Sequence, residues 1–185
     1  INHPESPRRL EAILNKVSQR SYFSSLSSLE DRLASQEELS LVHSAEHINF
    51  LRRACEEGGS RQLDADTPVS ALSYEAAIRA AGAGLEAADN IIKRNISGAV
   101  LALRPPGHHA LPYKAMGFCL FNNAALCARY LQSRYNLKGA IVDWDVHHGN
   151  GTEEIFYEDG NVFFASTHQY PFYPGGGAAH NRGRN

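Results

Sequence analysis

Apolar residues recur at helical spacing through the first half of the chain and gather into short unbroken runs in the second. In "SPRRLEAILNKV", Leu10, Ile13, Leu14 and Val17 fall on one stripe, and Ser6 then Pro7 read as the cap and first position of a helix. The serine-rich stretch 24–28 reads as a loop or a short helix. "SQEELSLVHSAEHINFLRRACEEGG" predicts a short strand near Leu39–Val42, then a helix stopped by Gly58 and Gly59. From Ser73, "SYEAAIRAAGAGLEAADNIIKRN" is the clearest helix of the chain. Its small residues (Ala76, Ala77, Ala80, Ala81, Gly82, Gly84) predict close packing against a sheet.

Beyond it the pattern alternates. "GAVLAL" (98–103) predicts a short, fully apolar strand, and "NNAALCARYLQSRY" a helix. "GAIVDWDV" (139–146) predicts a second strand, "GTEEIFYE" a short helix and "NVFFAST" (161–167) a third strand. Apolar strands separated by helices predict an α/β protein, a three-layer α/β/α arrangement around a mostly parallel sheet. Such sheets bind ligands beyond the carboxyl ends of their strands. Here those ends read "RPPGHH", "DVHHGNG" and "STHQY", so one sheet edge is expected to carry one site.

The chain has 185 residues, enough for one domain with a core, at 43% apolar and 21% charged composition. A net charge of −2 argues against a direct nucleic-acid surface or an anionic-membrane surface. No apolar run reaches the roughly 18 residues of a membrane span, and no signal peptide is recognisable. Cys55, Cys119 and Cys127 are scattered and form no CxxC, which sets the expectation of a reducing, cytoplasmic setting. The chain opens at Ile1 without Met and stops in "PGGGAAHNRGRN", so residues 1–185 are expected to be the N-terminal portion of one larger domain, incomplete at the C-terminus.

The chemistry concentrates in "IVDWDVHHGNG". On a strand, Asp143, Asp145 and His147 point one way while Trp144, Val146 and His148 point the other. Asp145 and His147 at this spacing offer an oxygen and a nitrogen donor to one divalent cation. An isolated DxH is more often a structural carboxylate–histidine hydrogen bond. Asp143, His148 and the second pair, His108–His109 behind the rigid Pro105–Pro106 turn, reverse that preference. His108 and His109 read as acid–base groups, with Asp143 and Asn150 available to hold them. A carboxylate and an amide are unlike partners, so two unlike roles are expected. Phe118 and Tyr173 lie on glycine- or proline-flanked loops and read equally as core or as walls of an apolar slot. Ser166 and Thr167 read as strand-end hydrogen bonders. No GxSxG surrounds any serine, and Gly175–Gly177 lacks the Lys and Ser/Thr of a phosphate loop.

Taken together, "RPPGHHA", "GFCLFNNAALCA", "VDWDVHHGNGT" and "STHQYPFYPG" resemble the zinc-dependent histone deacetylase family. The resemblance is closest to its class II branch and bacterial homologues, which are also similar to acetylpolyamine amidohydrolases, and it extends back through "LDADT" and "LVHSAEHINFL" to "HPESPRRL". It implies an arginase/deacetylase-like fold and hydrolysis of acetyl-lysine side chains on a protein or peptide. It makes Asp145 and His147 ligands of Zn²⁺ and His109 the general base, oriented by Asn150. His108, supported by Asp143, becomes its charged partner. The carbonyl of Gly117 would accept the substrate amide N–H, Phe118 and Tyr173 would flank the acyl-lysine stem, and Asp66 would grip the substrate backbone. A structural K⁺ would take Asp143, Asp145, His147, Ser166 and Thr167, and a second would sit near Phe156, Asp159 and Val162. The family's third zinc ligand, an aspartate, and its oxyanion-stabilising tyrosine have no counterpart in residues 1–185, where no Asp follows Asp159. The rest of the domain is therefore expected further along or on another polypeptide, and this stretch alone is expected to be a poor catalyst. Deacetylation of acetylpolyamines and a non-catalytic acyl-lysine-binding module are the alternative readings.

Overall fold

The structure is a computed structural model and describes residues 3–184. Helix α1 (Arg8–Ser18) starts one residue later than the Ser6–Pro7 signal suggests, with Pro7 in the cap position and no side-chain cap bond. A single 3-10 turn follows at Ser21–Ser25. Helix α2 (Gln36–Leu39) stands where a strand was expected. The cause is local: Ser35 Oγ accepts the Glu38 amide at 3.2 Å and the Glu38 carboxylate accepts the Ser35 amide at 2.8 Å, a capping box that commits these residues to a turn of helix. Leu39 is thereby swung fully into the core. Helix α3 (Ala45–Glu56) is capped by Ser44 and ends, as expected, where Gly58 and Gly59 adopt φ of +77° and +74°.

A small hairpin of β1 (Arg61–Gln62) and β2 (Pro68–Val69) leads into α4 (Ser73–Ile92). The small residues of α4 meet helix and coil rather than a sheet. A Cβ on Gly82 would lie 2.0 Å from the carbonyl oxygen of Arg32, and one on Gly84 would touch the Cβ of Cys127, in the next helix, at 3.7 Å. The coil at Arg32 is pinned there: its guanidinium pairs with Asp89 at 3.1 Å, and the same carboxylate accepts the hydroxyls of Tyr130 at 3.0 Å and Tyr135 at 2.6 Å.

Helix α5 (Asn123–Tyr135), strand β3 (Gly139–Asp143), helix α6 (Asn150–Phe156) and strand β4 (Val162–Ser166) complete the α/β part. β3 and β4 pair in parallel, from Gly139 opposite Val162 to Asp143 opposite Ser166. The stretch 98–103, expected as a third strand, is not one. A strand exists only through its ladder, and among the described residues nothing pairs with this run; Val100 is 97% exposed. The core is instead built from Leu39, Ile48, Leu51, Leu85, Phe121 and Leu126, on the helices and the loop before α5. Among the described residues, no helix is long and apolar enough to cross a membrane.

His43, between α2 and α3, ties this helical core to the loop 104–122. It is 2% exposed; its Nδ1–H donates to the carbonyl of Leu111 at 3.1 Å, and its Nε2 accepts the amide of Asn122 at 2.9 Å. Only the neutral ring can do both, and burial, with the nearby His47, pushes its pKa down to about 3. The unfolded chain binds the proton from the ordinary value of 6.5 downward. Between 6.5 and about 3 the unfolded state therefore holds more protons, and stability falls with falling pH. Acidification from pH 7 to 5 should cost about 2 kcal/mol through this one group. Urea titrations at the two pH values should show that loss in the parent, and a smaller difference in a His43→Gln variant.

Candidate active site

Three segments converge on the carboxyl end of β3. The first is the loop 104–110. Its Gly107 carbonyl accepts the Ala110 amide at 3.0 Å, and its His108 carbonyl accepts the amides of Gly151 at 3.0 Å and Thr152 at 3.2 Å from the first turn of α6. The fit leaves no room for a side chain at Gly151, where a Cβ would lie 2.3 Å from the carbonyl oxygen of Ala110. Asn122 secures the far end: its Oδ1 caps α5 through the Ala125 amide at 3.1 Å, and its Nδ2 donates to Thr152 Oγ1 at 3.1 Å.

The second segment is 143–150. The strand stops at Asp143, so strict strand alternation does not extend into residues 144–150. Asp143 Oδ1 accepts the amide of Asp145 at 3.1 Å, and Asp145 Oδ1 accepts the amide of His147 at 2.8 Å. These two-residue carboxylate turns compete with the ladder and peel the chain off the sheet. Asp145 and His147 nevertheless converge, with His147 Nδ1 3.1 Å from Asp145 Oδ1. His148 faces away, buried, with Nε2 2.8 Å from Glu153.

The imidazole pair lies against this turn. The rings of His108 and His109 are 4.0 Å apart, and His109 is 6.1 Å from the ring of His147. His108 Nδ1–H donates to Asp143 Oδ2 and His109 Nδ1–H to Asn150 Oδ1, each at 2.8 Å. Burial, the neighbouring His108 and, more weakly, His147 push the His109 pKa down to about 4 against the opposing bond to Asn150. Burial also disfavours the Asp143 carboxylate, but the bond and charge of His108 outweigh it and hold the group below its ordinary value. With Nδ1–H committed to an amide oxygen, neutral His109 carries its lone pair on Nε2, the arrangement a proton acceptor needs.

The third segment is the turn at residues 116–119, with Tyr173 beside it. Met116 and Cys119 bond to each other in both directions, at 3.2 and 2.9 Å, around a two-residue turn in which Gly117 has φ +57° and Phe118 φ +68°. A Cβ on Gly117 would lie 2.4 Å from Cδ2 of His109 and 2.9 Å from the Tyr173 hydroxyl, so the backbone at 117 touches both rings. Tyr173 stands edge-on to His109 at 5.1 Å and to His147 at 5.9 Å. Burial and then the carboxylates of Asp66 and Asp64 push its phenol up to about 12, so it stays protonated. Asp66 sits at the tip of the β1–β2 hairpin. Contacts thus link His108, His109, Asp143, Asn150, Asp145, His147, Gly117 and Tyr173, and Asp66 reaches Phe118 through Thr67. Sequence reasoning missed His43, Asn122 and Thr152 behind the loop, and His3, whose ring packs edge-on against Phe118 at 5.0 Å. Their only signal was buried-polar chemistry scattered far along the chain.

Among the described residues, no group of three or more His, Cys, Asp or Glu is arranged to hold a metal ion. Asp145 and His147 make a converging oxygen–nitrogen pair, two donors of the three a catalytic zinc site takes from protein.

The Histone deacetylase domain profile matches residues 3–185. The chain belongs to the histone deacetylase family. A protein of Archaeoglobus fulgidus named "Probable deacetylase" is 40% identical over 177 residues, covering 95% of this chain and 49% of that protein. Histone deacetylase 10, chloroplastic, of Oryza sativa subsp. japonica is 36% identical over 199 residues, covering 98% of this chain and 45% of that protein. The crystal structure of the HDA15 HD domain superposes with a TM-score of 0.94 at 39% identity, over 99% of this chain and 52% of that one. The fold is therefore the deacetylase α/β fold, and the chain spans about half the length of the relatives it matches.

A Gly117→Ala substitution in this histone deacetylase domain combines positive φ with contact against His109. We expect it to lower unfolding free energy by about 1–3 kcal/mol, read by denaturant titration.

Proposed function

We propose that the domain is a zinc-dependent amidohydrolase that removes acetyl groups from lysine side chains of proteins or peptides. The observation that carries this is the unlike pairing of the two imidazoles. One is bonded to a carboxylate and one to an amide, and both lie beside the Asp145–His147 donors. Asp145 and His147 would hold the zinc, with a third donor from outside this stretch. The chemistry expected of the ion is Lewis-acid polarisation of the amide carbonyl and activation of a water near neutral pH. His109, neutral at pH 7 and with Nε2 free, takes a proton from the attacking water and returns it to the leaving amine. His108, bonded to Asp143, is the supporting ring of the pair in this reading.

Gly117, with Phe118 and Tyr173, forms a slot whose protonated phenol adds no charge. Such a slot admits a neutral acylated stem and rejects a free ammonium, because stripping water from the charge is costly. Asp66 at the rim accepts the backbone amide of a peptide substrate. The same reading includes structural K⁺, bound around Asp143, Asp145, His147, Ser166 and Thr167 and again near Phe156, Asp159 and Val162; the pairing of Asp143 with Ser166 supports the first.

The full-length protein should hydrolyse a fluorogenic acetyl-lysine peptide and lose that activity to a chelator. His109→Ala should lower kcat by roughly 10²- to 10⁴-fold while leaving zinc bound, and Asp145→Ala should lose the metal by elemental analysis. Binding without turnover would make the domain a reader, and preference for acetylputrescine or acetylspermidine would make it a polyamine deacetylase. Replacing the amide partner by a carboxylate, Asn150→Asp, should raise the His109 pKa. Because the base must be neutral, the acid limb of the kcat/KM profile should then move to higher pH, by about one unit.

A further inference from the structure

The turn that carries Phe118 does not use that residue's amide in its own bonding. Met116 and Cys119 satisfy each other, while the Phe118 N–H points to the hydroxyl of Thr67, 3.0 Å away in the β1–β2 hairpin. Thr67 is 1% exposed. A backbone N–H can only donate, so Thr67 Oγ1 accepts from Phe118, and its single proton goes to Asp66 Oδ1, at 2.9 Å. The direction of the chain is fixed: amide to hydroxyl to carboxylate. One Asp66 oxygen is thereby oriented and the other is left for a substrate.

Further contacts brace the same unit. The Leu63 amide donates to the Thr67 carbonyl at 3.0 Å, closing the hairpin tip. His3 Nε2–H donates to the Asp66 carbonyl at 3.3 Å while its ring packs on Phe118. Phe118, a bulky residue at φ +68°, keeps that conformation only while its surroundings impose it.

We infer that Thr67 is a positioning residue for the substrate: its buried hydroxyl locks the backbone-gripping carboxylate of Asp66 to the slot wall at Phe118, so that rim and slot hold one register. This rests on the proposed acetyl-lysine site and names what sets its grip on a peptide. Thr67 touches none of His108, His109, Asp143 or Asn150 through these bonds, so its loss should act on binding rather than on proton transfer.

The test is Thr67→Val, close to threonine in shape but without the hydroxyl, in the full-length protein. KM for an acetyl-lysine peptide should rise about five- to tenfold with kcat within twofold of the parent. Thr67→Ser, which restores the hydroxyl, should return KM to near the parent value. Thr67→Val on an Asp66→Ala background should add little, because the grip it orients is already gone. Unchanged KM, a fall confined to kcat, no rescue by serine, or full additivity with Asp66→Ala would each overturn the inference. Hydrogen exchange of the Phe118 amide, faster in Thr67→Val and restored in Thr67→Ser, reads the bridge without turnover. A parent that hydrolyses no acetyl-lysine peptide sinks the proposed function, and exchange then decides the bridge: an unaltered Phe118 rate would refute it.

Discussion

Two imidazoles with ring centres 4.0 Å apart cannot both carry positive charge without strong repulsion, and this structure resolves the conflict with two different acceptors. His108 faces the Asp143 carboxylate, whereas His109 faces only the amide oxygen of Asn150. The asymmetry gives two rings of the same chemical type unlike surroundings. It also dictates the surroundings, because each acceptor must be delivered at 2.8 Å from a different element: Asp143 from the end of β3, Asn150 from the first position of α6.

That delivery explains why so much polar chemistry is buried behind the site. The loop bearing the pair is held from α6 by amides on the His108 carbonyl, from the cap of α5 by Asn122 Nδ2 on the Ala110 carbonyl, and from the helical core by His43. Each of these groups is desolvated and would be costly if left unpaired, so the bonds act together or fail together. The precision of the acceptors is thus paid for in pH sensitivity, since His43 can play its part only as a neutral ring.

The turn at Gly117 follows the same logic from the other side. Gly117 brings bare backbone against His109 and Tyr173, which no larger residue could do at that φ and spacing. Burial, and then the carboxylates of Asp66 and Asp64, raise the phenol of Tyr173 further above neutrality, so the ring beside His109 carries no charge.

Much of this was legible along the chain. The long helix from Ser73, the helix before β3, the stop at Gly58–Gly59 and the β3–α6–β4 unit follow from periodicity and punctuation, which are local. That Asp143 and Asn150 stood available to hold the two histidines is local as well, whereas which ring takes which partner came only with the family resemblance. The strand expected at Leu39–Val42 failed to a capping box, and the alternation expected beyond Asp143 failed to carboxylate turns, both short-range hydrogen bonds that outweigh propensity. The apolar run 98–103 failed for a different reason: pairing belongs to two segments at once, and no pattern within one of them supplies the other. Tertiary structure alone decided that Thr67, His43 and His3 reach the site, because contacts between residues tens of positions apart are set by how the elements pack, whereas the donors, acceptors and turns themselves are set by residue type.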